Sequence, residues 1–337
     1  MRVEELGEFP LIDRLARVLS RHGVSPRVPA AKSGYELLIS IGDDAAAWKA
    51  PAGLQVFTTD TMVEDIHFER RYTSWTDLGW KALAVNLSDV AAMGCMPLYG
   101  VVTLGLPPDT PVEGLEEMYE AMAQETEQHG VGIVGGDIVR SPVFFVTIAL
   151  LGYSQTGTLL TRSGAKAGDQ VAVTGHVGCS AGGLRTLSVE LTLDPETKGH
   201  LAAAHSRPMA RIAEGKLLAE HGVRCAIDLS DGLADDLGKV CVMSGVSAVL
   251  YANRVPADGF LKQAFPKEWL SLALGGGEDY ELLFTAPPRI MERACANLPT
   301  SATVIGEIVS GPPGVEVLDA KGRPVSLAKG GWDHFPR

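Results

Sequence analysis

The sequence predicts an α/β (α+β) protein of two domains, 1–160 and 161–337. Three observations carry that expectation. The chain has 337 residues, more than the roughly 100–200 of one ordinary domain. Hydrophobic residues make up 46% and charged residues 21%, which rules out a disordered or fibrous chain. Apolar runs of strand length alternate with stretches of helical period in both halves. The polar segment Gly152 to Asp169, poor in large apolar residues, separates the halves near Thr161.

In the first half, short apolar runs predict strands at Glu36 to Ile41 and Leu54 to Thr58. A helix follows from about Thr76 to Met93, where Leu78, Ala82, Val85 and Met93 recur at helical spacing. Then come a strand at Leu98 to Leu104, a helix from about Val112 to His129, and strands at Val131 to Val134 and Val143 to Leu151. The second half opens with a strand at Gln170 to Thr174, a Gly-rich turn at Gly175 to Gly183 and a helix. An apolar run (Val223 to Ile227), a helix from about Gly232, and strands near Val246 to Tyr251 and Tyr280 to Thr285 complete the series. The halves carry no clear repeat and no low-complexity segment, so a solenoid is not expected.

Charge and cysteine usage narrow the function. Lys and Arg number 29 against 41 Asp and Glu, a formal charge of −12, which argues against a nucleic-acid partner. The N-terminus has no signal-peptide pattern, and the longest apolar run, Val143 to Leu151, is too short to span a bilayer. A cytoplasmic protein with no membrane association is expected. The five cysteines form no C-x-x-C pair and no H-E-x-x-H occurs, so neither a disulfide framework nor a zinc site is indicated.

Five segments repeat one pattern, in which an apolar run or helix delivers aspartate into a Gly, Ser or Thr context. They are Ile41-Gly-Asp-Asp44, Thr58-Thr59-Asp60, Asn86-Leu-Ser-Asp89, Gly135-Gly136-Asp137 and Asp228-Leu-Ser230-Asp231-Gly232. Taken singly, each Asp is ordinary turn or cap chemistry, and Ser230 or Asp231 makes a good N-cap for the helix that begins after Gly232. Together they are seven carboxylates without a Lys or Arg within two residues, and strand-end loops of α/β proteins converge on one sheet edge. Like charges gathered there repel unless cations sit among them. Oxygen ligands without His or Cys indicate Mg²⁺ or Mn²⁺. Asn86 and Asp89 share a semi-apolar helix face close to a helix C-terminus, where the macrodipole disfavours negative charge by up to about 1 kcal/mol. A nearby cation offsets that cost.

Two other patterns are set aside. Gly130-Val-Gly132-Ile-Val-Gly135 matches G-x-G-x-x-G but follows a helix and is itself the strand, the reverse of a dinucleotide fingerprint. The Gly175 to Gly183 loop lacks a Walker lysine, so tight-turn packing is its expected role. Carboxylates suited to Mg²⁺, with no P-loop and no nucleophile, indicate metal-assisted phosphoryl transfer. A metal-dependent phosphatase would share these ligands, and the residues alone do not separate the two.

The motifs IGDDAA (41–46), TTDTMVEDIHF (58–68), KALAVNLSDVAAMG (81–94), GGDIVRSP (135–142), LTRSGAKAGD (160–169), IDLSDGLADDL (227–237), GGGEDYELLF (275–284) and GGWDHF (330–335) closely resemble the thiamine-monophosphate kinase family. The resemblance runs in register from about residue 5 to 335. It implies an N-terminal mixed sheet with helices, which binds ATP and Mg²⁺ and pairs in a homodimer, and a C-terminal α/β sandwich that closes the active site. It further implies ATP-dependent phosphorylation of thiamine monophosphate to thiamine diphosphate, assisted by several Mg²⁺ ions.

By the same resemblance, Asp44, Thr58, Thr59, Asp60, Asp89, Asp137, Asp228 and Asp231 match metal positions. Tyr119, Gly136, Asp137, Arg162 and Ser230 match ATP contacts, and His67, Glu278 and Trp332 match positions that hold the thiamine part. Two departures stand out: Ile138-Val139 follow Asp137 where Thr-Thr is more usual, and Asp65 replaces a residue that is often Gly. Within the wider superfamily, the absence of any cysteine before Cys95 and the ending His-Phe-Pro-Arg disfavour selenophosphate synthetase and the hydrogenase-maturation protein. A related ATP-dependent cyclo-ligase and a noncatalytic metal- and nucleotide-binding protein are the alternatives.

Overall fold

The computed structural model describes residues 1–22, 34–39, 41 and 46–325. It divides into two compact units, Met1–Val90 with Met96–Ser154, and Ala91–Cys95 with Gln155–Arg337.

The first unit starts with α1 (Val3–Leu6) and α2 (Glu8–Arg21). Helix α2 was not anticipated, yet Leu11, Leu15, Val18 and Leu19 fall at helical spacing and are buried. A small antiparallel ribbon, β1 (Glu36–Ile39) with β2 (Ala47–Lys49), comes next. Then follow β3 (Gln55–Val63), α3 (Trp75–Ala92), β4 (Met96–Leu106), α4 (Val112–His129), β5 (Gly132–Arg140) and β6 (Phe145–Tyr153). These strands form a four-stranded sheet in the order β3-β6-β4-β5, with β4 and β5 parallel and the other pairs antiparallel. A bidentate ion pair, Arg14 Nε to Glu116 Oε1 at 2.7 Å and Arg14 Nη2 to Glu116 Oε2 at 2.8 Å, ties α2 to α4.

Two expected loop positions lie inside strands. Thr58 to Asp60 occupies the middle of β3, and Gly135 to Asp137 continues β5 rather than ending it. Polar and glycine residues hid this, because edge strands tolerate both where one side faces solvent. Beyond β3, Asp65 adopts a φ of 64°, the left-handed region that Gly fills without strain and Asp tolerates.

The second unit holds β7 (Gln170–Thr174), α5 (Cys179–Ser188), α6 (Pro195–Ser206), α7 (Ile212–Glu220), β8 (Cys225–Asp228), α8 (Leu233–Ser244) and β9 (Ser247–Tyr251). It continues with α9 (Gly259–Ala264), α10 (Trp269–Gly275), β10 (Leu282–Ala286), α11 (Pro288–Asn297), β11 (Ala302–Val309) and β12 (Gly314–Leu318). Six strands run in the order β12-β9-β11-β7-β10-β8, antiparallel except for β12 with β9. Val171, Val173, Ile227, Leu237, Leu250, Leu283 and Ile305 lie in its core. Helix α6 escaped the sequence reading because its Ala-rich stretch has no apolar stripe. Its start signal was present, since Asp194 accepts from the Thr197 N–H at 2.9 Å and Pro195 opens the first turn. All five cysteines are free thiols.

Candidate active site

In the first unit, Thr58 and Asp60 lie two residues apart on β3 and face α3. The Thr58 hydroxyl donates to Asp89 Oδ2, and the Asp60 backbone N–H donates to Asn86 Oδ1 at 3.0 Å. Asn86 Nδ2 in turn donates to the Ala82 carbonyl at 3.0 Å, which fixes the amide's orientation. Asn86 and Asp89 therefore share one helix face, and that face meets the strand. The Asp60 carboxylate keeps some contact with water, yet the surrounding protein desolvates it and Asp89 adds like charge, pushing its carboxyl up to about 6. Thr59 alternates to the opposite side of β3, where its hydroxyl donates to the Ile148 carbonyl at 3.0 Å.

A second group lies at the other edge of the sheet. Gly136 pairs with Val102, and Asp137 with Thr103, on β5 and β4. Tyr119, Gly136 and Asp137 line one shallow open groove with Leu15 and Leu19 of α2 and Val102 of β4. Burial pushes the Tyr119 phenol well above its usual range, so it remains a neutral hydroxyl. Asp137 is exposed, and its Oδ1 accepts from the neighbouring Ile138 N–H at 3.0 Å. The expected gathering of all the acids in one place is therefore not met within this unit. β3 and β5 are its two edge strands, separated by three strand spacings or about 14 Å.

His67 lies in the turn after β3, where its Nδ1 accepts from the Val63 N–H at 3.0 Å. That bond leaves the proton of the neutral ring on Nε2. Asp44 and Trp332 lie outside the described residues.

In the second unit, buried Asp228 ends β8 and opens the loop Leu229 to Gly232. This loop is laced to the Gly-rich segment before β10: Leu229 N–H donates to the Glu281 carbonyl, Tyr280 N–H to Leu229, and Glu278 N–H to Ser230, each at 2.9 Å. Glu278 thus stands beside Ser230, and its Oε2 lies 3.5 Å from His205 Nδ1. Arg162 is exposed, its carbonyl accepting from Ser244 Oγ at 2.9 Å.

Two details of this loop differ from the sequence reading. Neither Ser230 nor Asp231 caps α8; fully buried Asp236 reaches back instead, its Oδ2 accepting from the N–H groups of Asp231 at 3.0 Å and Gly232 at 3.1 Å. Asp231 also has a counter-charge, Lys239 Nζ at 2.5 Å, which bonds Asp236 Oδ1 at 2.6 Å as well. A metal ion at Asp231 would have to compete with that ammonium.

The sequence reading missed Asp279 and Glu281. Asp279 accepts from the N–H groups of Gly178 at 2.6 Å and Ser180 at 3.1 Å at the start of α5. Burial pushes its carboxyl up to about 7 although both donors pull it down. Glu281 accepts from Thr174 Oγ1 at 2.6 Å and pairs with Arg211, whose Nε lies 2.7 Å from Oε2. The available signal was three acids following a glycine run, Glu278-Asp279-Tyr280-Glu281.

Comparison with known proteins fits this arrangement. Residues 42–154 match the family model described as AIR synthase related protein, N-terminal domain, and residues 166–319 match the C-terminal domain of the same name. The thiamine-monophosphate kinase of Bacillus subtilis (strain 168) is 34% identical over 93% of this chain and 98% of its own. The chain belongs to the thiamine-monophosphate kinase family. Among solved structures, the family member from Stenotrophomonas maltophilia K279a has a TM-score of 0.79 at 32% identity, covering 93% of this chain and 96% of that one. The structure designated AaThiL complexed with AMPPCP and TMP has a TM-score of 0.75 at 32% identity over 99% of both chains. The mixed sheets of both units are thus those of the family. Among the described residues, no helix is long and apolar enough to cross a membrane.

Proposed function

We propose that the protein transfers the γ-phosphoryl group of ATP directly to the phosphate of thiamine monophosphate, giving thiamine diphosphate and ADP. Family membership supports the reaction, as does the solved relative complexed with AMPPCP and TMP. The structural observation that carries the reading is the Thr58, Asp60 and Asp89 group. Its donors are all oxygen, and desolvation followed by the like charge of Asp89 lifts the Asp60 carboxyl, a set that fits a hard dication such as Mg²⁺. In the first unit Thr58, Asp60 and Asp89 would hold Mg²⁺ at the β3 edge, where the Thr59 hydroxyl is turned to Ile148, and Asp137 would hold Mg²⁺ at the β5 edge, with Asp44 assigned to the set by its place in the motif. In the second unit Asp228 and Asp231 would do so. Bound Mg²⁺ neutralises phosphate oxygens and so lowers the repulsion between two anionic reactants.

The chain's own side chains then have positioning tasks. Tyr119, Gly136 and Asp137 border an open groove and serve as ATP contacts, and Arg162 and Ser230 serve as further ATP contacts. His67, Glu278 and Trp332 take the thiamine part, where the half-buried Glu278 carboxylate complements the thiazolium cation. The acceptor is a phosphate monoester whose second pKa is about 6, so at neutral pH it is largely a dianion and needs no general base. A coupled ADP-release assay tests the reading. ADP release that depends on both thiamine monophosphate and Mg²⁺ supports it; turnover without thiamine monophosphate, or none at all, refutes it.

We also assign a homodimer to the first unit. Phe57, Val101 and Val139 lie by register on the sheet face away from α3 and α4, and Phe57 is 71% exposed. Such an apolar sheet face is costly in water and suits a second copy. A monomer mass in analytical ultracentrifugation at micromolar concentration would refute this. A cytoplasmic location is part of the same reading, since ATP and free thiols belong to that compartment.

A further inference from the structure

The second unit holds a set of sulfur, nitrogen and oxygen donors that phosphoryl transfer does not use. Cys179 is the first residue of α5, and Asp279 accepts from the backbone N–H groups on either side of it, so the thiol's position is set by a braced backbone. Asp258 caps α9, using Oδ1 to accept from the Phe260 N–H at 2.7 Å. That bond leaves Oδ2 turned to two imidazoles, His200 Nε2 at 3.7 Å and His176 Nδ1 at 3.9 Å. The His200 ring rests on Phe260, with ring centroids 4.5 Å apart and planes at 32°, which orients its nitrogens. The donor atoms of Cys179, His200 and Asp258 all lie within 4.8 Å of one another.

The spacing decides what this cluster is. At 3.7 and 3.9 Å the Asp258 contacts are too long for hydrogen bonds. A tetrahedral Zn²⁺ with arms of about 2.0–2.3 Å sets its donors roughly 3.3–3.8 Å apart. Thiolate and imidazole are poor partners for Mg²⁺ and good ones for zinc-class ions. We propose that Cys179, His200 and Asp258 form a binding site for a zinc-class transition dication, with the fourth position open to water beside His176. The site joins the start of α5, α6 and the start of α9. Because the Cys179 backbone is gripped by Asp279, occupancy also stiffens the Gly-rich loop that follows β7.

The resting thiol holds its proton: burial, then Asp279 and Asp258, push Cys179 up to about 12. Metal binding therefore displaces that proton. The charged and titratable groups around the thiol are Asp279 and Asp258, with His176 and His200 beside Asp258 and with Glu281 paired to Arg211.

The test is a Co²⁺ titration of the full-length, metal-free protein in excess Mg²⁺, which occupies the all-oxygen sites. The expected result is one equivalent per chain with a thiolate-to-cobalt charge-transfer band in the near ultraviolet, abolished by equimolar Zn²⁺. Cys179→Ser should lose the band, and His200→Gln, at a position on the surface, should keep the fold and weaken binding by about 10–100-fold. Cys295→Ser should bind as wild type. No sulfur band, a band that survives in Cys179→Ser, or equal weakening in Cys295→Ser would overturn the assignment. Because the readout is optical and independent of turnover, it can fail while the kinase reading stands.

Discussion

Two adjacent glycines on the edge strand β5 make opposite demands on substitution. A Cβ at Gly136 would lie 2.1 Å from the Val102 carbonyl oxygen, whereas at Gly135 its nearest neighbour would be Val101 Cγ1 at 3.4 Å. The first is backbone and cannot rotate away; the second is ordinary contact. Gly136→Ala must push β5 outward by more than an ångström, which costs about 1–3 kcal/mol of overpacking and weakens parallel ladder bonds worth about 1 kcal/mol each. A loss of about 2–4 kcal/mol lowers the unfolding midpoint of a unit this size by about 5–15 °C. The same shift displaces Asp137, so the KM for ATP should rise more than that for thiamine monophosphate. Gly135→Ala should change the midpoint by less than about 3 °C, an effect below about 1 kcal/mol. Calorimetry of both variants with two-substrate kinetics checks this. A Gly136→Ala protein as stable as wild type, or equal damage from both changes, would show that the β4–β5 register does not govern this edge.

Three further outcomes follow from the site. Asp137→Asn is expected to abolish phosphoryl transfer, with an unfolding midpoint within about 2 °C of wild type because the side chain is exposed; an active variant would remove Asp137 from the metal set. Asp60, ordinarily near 3.8, is pushed up to about 6, so the folded state holds more protons in that interval. Metal-free protein should therefore lose stability as pH rises from about 4 to 6, Mg²⁺ should offset the loss, and Asp89→Asn should shrink it; denaturant melts at stepped pH measure all three. Burial pushes Glu125, which is 1% exposed with Oε2 unbonded, from 4.5 up to about 8. Its burial costs nothing below pH 4.5 and most above 8, so Glu125→Gln should gain stability across that window, by at most about 5 kcal/mol; a gain independent of pH would refute the assignment.

Much of this was legible because the informative spacings are local. Asn86 and Asp89 are three residues apart in a strong helix, so their shared face followed from the helical period alone. The pairing of that face with Thr58 and Asp60 depends on how α3 lies on the sheet, which no local spacing encodes. Asp231 shows the same limit. It looks uncompensated in sequence because no Lys or Arg lies within two residues, while Lys239 sits two turns along α8 and reaches it. Asp236 was hidden for another reason: Ser230 and Asp231 offered the usual cap chemistry at the usual place, and a side chain from inside the helix took the role. The zinc-class donors leave no local pattern at all, since His176, His200 and Asp258 are brought together only by the packing of α6 and α9 on the start of α5.

The loop before β10 argues that its acids are arranged for function. Three consecutive glycines, Gly275 to Gly277, precede them, yet the left-handed backbone falls on Glu278 (φ 65°) and Tyr280 (φ 52°) instead. The glycines serve close approach: a Cβ on Gly277 would lie 2.4 Å from the Ser230 carbonyl. Positive φ at two non-glycine residues costs about 1–3 kcal/mol each, and such strain persists only where the surroundings over-determine it. Here three backbone bonds to Leu229 and Ser230 do so. The geometry they enforce turns Asp279 inward to brace α5 and Glu278 toward His205, beside the Ser230 loop. A packing turn would have placed its glycines at the strained positions; a loop that must aim adjacent carboxylates at different partners cannot.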